Sequence, residues 1–87
     1  MNEVFINITD EVDKIPHIED LLPKEYQYAD KLKSEGILTH LFVKADKSGA
    51  YLVMKNVDID KAKELLRGFP MYPYYQKVEY SYVEDVF

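Results

Sequence analysis

The sequence predicts an α+β domain in which two helices cover a four-stranded antiparallel sheet. Three observations lead to this class. Four segments alternate between apolar and polar residues, as half-buried strands do. Two other segments repeat apolar residues at helical spacing. Glycine and proline residues fall between these segments and form no linker-like cluster, so we expect a single domain over residues 1–87.

The first strand is predicted over residues 3–8, because Val4, Ile6 and Ile8 fall on one side of an extended chain. The following stretch, residues 9–17, is acidic and contains a proline, which is typical of a loop.

The first helix is predicted over residues 18–35, and Gly36 is suited to end it as a C-terminal cap. Proline is favoured in the first turn of a helix. We therefore expect the regular helix to start at Pro23, with residues 18–22 forming a preceding turn or a kink. Five apolar residues form one stripe along this segment: Ile18, Leu21, Leu22, Ala29 and Leu32.

Strands two and three are predicted over residues 37–45 and 50–57. They are joined by the turn 46–49, in which Gly49 is expected to take a positive φ.

The second helix is predicted to begin after the capping residue Asp58 and to end before Gly68 and Pro70. The fourth strand is predicted over residues 75–83. The inner positions of the second helix follow helical spacing: Ile59, Ala62, Leu65 and Leu66.

The order strand, helix, strand, strand, helix, strand is the split βαβ arrangement called ferredoxin-like. Two helices cover only one face of such a sheet. Strand two nevertheless carries apolar residues on both faces, with Leu41 and Val43 opposing Leu38 and Phe42. We therefore expect the second face to pack against the same face of another copy, giving a dimeric α/β barrel.

Composition narrows the classes of function. Sixteen acidic and eleven basic residues give a net charge of −5, which disfavours binding to nucleic acid. With no cysteine and two histidines, neither a disulfide nor a metal site is expected. A chain this small commonly gains stability by oligomerisation. The first eight residues show no basic leader and no long apolar run, so we expect no membrane segment and a cytoplasmic location.

Three segments form a recognisable set: His-Leu-Phe at residues 40–42, Leu-Leu-Arg-Gly-Phe-Pro-Met-Tyr-Pro-Tyr at 65–74, and Val-Glu at 78–79. This set resembles the muconolactone isomerase family over about residues 24–83. The most specific part is the Gly-aromatic-Pro-apolar-aromatic-Pro run.

The resemblance implies the dimeric α/β barrel, in a family whose isomerases assemble into decamers. It also implies a cofactor-independent proton shift on a small lactone or enolisable acid. In the family reaction, a base removes a proton beside the lactone of muconolactone and a proton returns elsewhere, which moves the double bond.

Glu25 is the first candidate for catalysis, because it projects near the centre of the apolar stripe of the first helix. Burial raises the pKa of a carboxyl group towards neutrality, which suits a general acid or base. It also aligns with a glutamate proposed as the base in the isomerase. In the alternative interpretation Glu25 has a structural partner, or a kink at Pro23 turns it to water.

His40 is the second candidate, placed by alternation on one strand face with Leu38 and Phe42. If that face meets the helices, His40 approaches Glu25 and shuttles a proton. In the alternative interpretation it is a partly buried histidine bonded to backbone or to a dimer partner.

Aromatic residues are candidates to line a pocket and to donate hydrogen bonds to an enolate. Their alternative role is packing. The tyrosines considered are Tyr26, Tyr28, Tyr51, Tyr72, Tyr74 and Tyr75. The set selected as pocket-lining is Tyr28, Phe42, Tyr51, Tyr72 and Tyr74.

Two other functions stay open beside the isomerase. One is a non-catalytic module of the same fold that binds a small molecule or serves in an oligomer, which predicts a filled interior near Glu25. The other is a cofactor-free monooxygenase of the same barrel type.

Overall fold

The computed structural model describes residues 3–87, so that Met1 and Asn2 of the predicted domain lie outside the described residues. The strands are β1 (Glu3–Thr9), β2 (Leu38–Val43), β3 (Gly49–Met54) and β4 (Lys77–Val83), and the helices are α1 (Ile18–Ser34) and α2 (Ile59–Leu66). Short 3-10 turns span Val12–Lys14 and Tyr72–Tyr74.

The strands form one antiparallel sheet in the order β2-β3-β1-β4. Together with the order of the elements along the chain, this confirms the predicted ferredoxin-like α+β fold. Of the helices described, none has the length and apolar character that crossing a membrane requires.

The core lies between the helices and one face of the sheet. Alternate residues of β1 are buried there, as the period-two pattern predicted. Ala29 and Leu32 of α1 and Ala62 and Leu66 of α2 cover them. Each large apolar side chain buried in this way contributes about 1.5–3 kcal/mol to the free energy of unfolding. The largest fully buried side chains are Val4, Ile6, Ile8, Leu32, Leu52, Met54 and Leu66.

Helix α1 begins at Ile18, so the prediction that it starts at Pro23 is wrong. The amides of Asp20 and Leu21 both donate to the carbonyl of His17, at 3.0 Å each, so that a helical turn precedes the proline. Pro23 has no N–H, and the helix therefore lacks one backbone bond in its second turn. Apolar residues on both sides of the proline pack on the same side of α1.

A β-bulge in β2 reverses the faces of the residues that follow it. The register with β3 shifts between Leu38 and His40, and the hydroxyl of Thr39 donates to the carbonyl of Val53 at 3.0 Å. Leu38 is buried against the helices, whereas His40 and Phe42 are exposed on the opposite face. The prediction that Leu38, His40 and Phe42 share one face is therefore wrong.

The sheet face that the helices leave open carries a band of aromatic rings. Phe5 stacks on Tyr51 with 5.5 Å between the ring centroids, and His40 stacks on Phe42 at 5.7 Å. Phe42 remains 53% exposed. We call Phe5, His40, Phe42 and Tyr51 the aromatic band. It includes Phe42, one of the residues from which the second copy was predicted.

The turn between β2 and β3 forms a hydrogen bond to the residue that follows β1. Gly49 has a φ of 145°, which confirms the predicted positive φ. A Cβ atom there would overlap the carbonyl oxygen of Ile8. The Ser48 amide donates to Asp46 Oδ1 at 3.0 Å, and the Asp10 amide donates to the Ser48 carbonyl at 2.9 Å.

We expect Gly49→Ala to lower the free energy of unfolding by more than about 3 kcal/mol, since backbone strain of about 1–3 kcal/mol adds to the overlap with Ile8. Gly36→Ala is the matched control, because Gly36 also has a positive φ, 77°, but open space around it. Its loss should be about 1–2 kcal/mol. Urea unfolding followed by circular dichroism measures both, and equal losses would contradict this account.

Candidate functional site

A cavity of about 130 Å³ lies between α1 and the sheet, beside Glu25. Cavities of about 150 Å³ admit a benzene ring, so this space is about the size of one six-membered ring. Apolar walls come from Ile8, Leu22, Leu41, Leu52 and Met71, and the polar side chains include Asp10, Glu25, Lys47 and Tyr75.

Helix α1 presents Glu25 to the cavity, and the segment after α2 holds its carboxyl group. Oε1 accepts a hydrogen bond from the amide of Met71 at 2.9 Å. Oε2 accepts a short hydrogen bond from the hydroxyl of Tyr75. These bonds join α1 to the chain just before β4, and they hold both oxygens of the carboxyl group in place.

Burial raises the pKa of Glu25 above its usual value. The hydrogen bonds from Tyr75 and from the Met71 amide act in the opposite direction, because they stabilise the charged form. The neighbouring carboxyl of Asp10 raises the pKa further. A carboxyl group with a raised pKa is suited to removing and returning protons near neutral pH.

Tyr75 acts as a hydrogen-bond donor at this site. Burial and the adjacent Glu25 carboxyl raise the pKa of its hydroxyl far above the usual value, so Tyr75 stays protonated. Tyr75 also borders a groove of about 440 Å³ whose walls include Lys63, Arg67 and Lys77. The same ring therefore separates the cavity from a basic groove on the outside.

Asp10, like Lys47, is a polar cavity residue that the sequence analysis did not identify. It is only 4% exposed, it lines the cavity, and its Oδ1 has no hydrogen-bond partner among the residues described. Burial raises the pKa of its carboxyl group, and the charge of Lys44 opposes this effect. Position 10 continues the alternation of Val4, Ile6 and Ile8. That alternation is the signal in the sequence that indicates a buried side chain at Asp10.

Glu25 lies on the inner side of α1, as its position in the helical stripe predicted. It borders the cavity and also has a structural partner, Tyr75, as the alternative interpretation expected. His40 does not approach Glu25 within one chain. His40 is exposed in the aromatic band, where its Nδ1 lies 3.2 Å from Thr39 Oγ1. The reason is the bulge at Thr39, which turns the following residues away from the helices.

None of the residues selected as pocket-lining borders the cavity. Phe42 and Tyr51 belong to the aromatic band. Tyr28 donates to the Leu65 carbonyl at 2.7 Å and packs against Phe69. Tyr72 borders the outer groove, and Tyr74 is exposed beside it.

Over residues 3–87, no three His, Cys, Asp or Glu side chains come together as metal ligands. The polar side chains at the cavity are thus two carboxyl groups, an ammonium group and the phenols of Tyr26 and Tyr75.

Solved structures of two enzymes share this fold. A crystal structure of muconolactone isomerase aligns with a TM-score of 0.76 and 24% identity, covering 93% of this chain and 86% of that chain. A 5-chloro-2-hydroxyhydroquinone dehydrochlorinase from Burkholderia phenoliruptrix, solved with 2,5-dihydroxybenzoquinone, aligns with a TM-score of 0.75 and 14% identity over 94% and 93% of the two chains.

No family model matches the chain, and no curated protein sequence matches it. The structural matches cover nearly the whole chain, more than the range of about residues 24–83 to which the sequence resemblance extends. The chain therefore has a muconolactone isomerase-like fold, as that resemblance implied.

We expect Tyr75→Phe to raise the pKa of Glu25 further. The substitution removes a donor that stabilises the ionised carboxyl group and keeps the ring that buries it. A ¹³C NMR titration of labelled glutamate measures the pKa. Tyr74→Phe is the matched control and should leave the pKa of Glu25 unchanged. A lower pKa in Tyr75→Phe would contradict the hydrogen bond described.

Proposed function

We propose that the chain is a cofactor-independent isomerase that shifts a proton on a small lactone or other enolisable acid, with Glu25 as the base. The observation that carries the proposal is a half-buried carboxyl group with a raised pKa beside a ring-sized cavity. The fold shared with muconolactone isomerase is consistent with this class of reaction.

The proposed reaction needs only groups that line the cavity. The Glu25 carboxylate removes the proton beside a carbonyl, and the electrons of the broken C–H bond move into the carbonyl to give an enolate. Lys47 lines the same cavity and supplies a positive charge for the enolate or for a carboxylate of the substrate. A proton then returns to a carbon further along the conjugated system, and the double bond has moved.

The size of the cavity favours a compact substrate. One six-membered ring is the ligand in the dehydrochlorinase structure, and the space beside Glu25 is of similar scale. The alternative, a module without catalysis, predicts an interior filled near Glu25, and the open cavity favours the enzyme over it.

We also propose a cytoplasmic homodimer in which the aromatic band of one copy packs on that of another. Half-exposed aromatic rings on one sheet face support this arrangement, because burying them removes apolar area from water. The two sheets then form the dimeric α/β barrel.

We expect Glu25→Gln to reduce isomerisation by about 100-fold or more, since an amide cannot accept the proton. Muconolactone and α-angelica lactone are the probes, and ¹H NMR follows the movement of the double bond. Glu19→Gln is the matched control, because Glu19 lies on the same helix and is exposed. Full activity in Glu25→Gln would overturn the proposal. A wild-type protein that binds the lactones without turnover would support the non-catalytic module.

We expect the wild-type chain to sediment as a dimer or larger assembly and Phe42→Glu to sediment as a monomer. The substitution places a charge inside the proposed interface, where desolvation opposes association. Val86→Glu introduces the same negative charge at an exposed site outside the aromatic band. It should leave the assembly intact. A monomeric wild-type chain in sedimentation velocity would refute the homodimer.

A further inference from the structure

We propose that Asp10 is a second catalytic residue, a general acid that delivers a proton to the substrate while Glu25 removes one. This inference rests on the proposed isomerase function, and it assigns the second half of the proton shift. Asp10 lies outside the segments that carry the family resemblance, and it was not among the residues predicted for catalysis.

Asp10 and Glu25 reach the cavity from different elements. Asp10 directly follows β1, whereas Glu25 projects from α1. The backbone on both sides of the Asp10 Cα atom is held: its own amide donates to Ser48, and the preceding carbonyl of Thr9 accepts from the Gln76 amide at 2.8 Å. The carboxyl group is therefore positioned by the sheet and the β2–β3 turn.

The environment of Asp10 favours a neutral carboxyl group. Asp10 is only 4% exposed, and its Oδ1 has no hydrogen-bond donor within the described part of the chain. A buried polar atom without a partner is costly, by about 1–3 kcal/mol, unless a ligand completes its hydrogen bonds. Asp10 lines the cavity, so a substrate bound there lies beside this residue.

The hydrogen bonds distinguish the acid from the base. Glu25 accepts two donors, and both stabilise its ionised form. Asp10 Oδ1 accepts none, and burial raises the pKa of Asp10 against the opposing charge of Lys44. Two interacting carboxyl groups tend to share one proton. We therefore assign that proton to Asp10 and the negative charge to Glu25. The other polar groups at the cavity are Tyr26, Lys47 and Tyr75.

A second proton carrier also solves a geometric problem. Glu25 is bonded through both of its oxygens, so it is not free to follow the substrate from one carbon to another. In the proposed step the C–H bond beside the carbonyl breaks to Glu25, and the electron pair enters the conjugated system. The O–H bond of Asp10 breaks as a new C–H bond forms at the far carbon.

The balance of the step needs no oxidant or cofactor. It leaves Glu25 protonated and Asp10 ionised. Proton transfer from Glu25 to Asp10 through water restores the starting state after the product leaves.

The test separates proton removal from proton delivery. In deuterated water, ¹H NMR of α-angelica lactone reports two rates for the wild type and for Asp10→Asn, each corrected for the buffer reaction. One is exchange of the proton beside the carbonyl, and the other is formation of the conjugated isomer. We expect Asp10→Asn to retain exchange within a few-fold and to lose isomerisation by about 100-fold or more.

Two variants complete the comparison. Glu25→Gln should lose both rates, and Asp13→Asn, an exposed acid in the same loop, should lose neither. Asp10→Asn that keeps both rates, or that loses both equally, would overturn the assignment of Asp10 while leaving the role of Glu25 intact. A wild-type protein with neither rate on this lactone or on muconolactone would instead overturn the proposed function.

A second measurement on the wild type does not depend on activity or on a variant that folds. A ¹³C NMR titration of labelled aspartate and glutamate reports which carboxyl group loses its proton first. Glu25 ionising at lower pH than Asp10 supports the assignment, and the reverse order overturns it.

Discussion

The hydrogen bonds that the Glu25 carboxyl group accepts from the Met71 amide and the Tyr75 hydroxyl determine the architecture of the cavity. They connect α1 to the segment that precedes β4, two parts of the chain nearly 50 residues apart. A helix held in this way keeps its apolar stripe on the sheet and keeps a carboxyl group at the cavity. The same bonds stabilise the ionised form of Glu25, which burial disfavours.

The second constraint is the presence of two carboxyl groups around one small apolar space. Each of them raises the free-energy cost of ionising the other, and neither has a lysine or arginine in a salt bridge within the described residues. Their surroundings differ, because donors surround Glu25 and none reaches Asp10 Oδ1. Different surroundings are how two chemically similar groups acquire different protonation states in one site.

The bulge at Thr39 separates the two surfaces of the sheet into different roles. Before it, Leu38 joins the core beneath the helices, and after it His40 and Phe42 enter the aromatic band. The cavity with its two carboxyl groups thereby lies on the helix side, and the aromatic band lies on the other. The muconolactone isomerase-like fold accommodates this arrangement with only 24% sequence identity to the solved isomerase, because shared topology constrains packing more than it constrains site residues.

Local patterns in the sequence determined the strands, the helices, the cap at Asp58, the positive φ of Gly49 and the inward projection of Glu25, because each depends on near neighbours and on chain periodicity. The alternation of buried and exposed residues in β1 also extends to Asp10, although the composition of residues 9–17 predicted a loop there. Tertiary structure alone decided the bulge that turned His40 outward and the choice of Tyr75 as the partner of Glu25. Each of these depends on contacts between distant segments, and such contacts leave no periodic trace in the sequence.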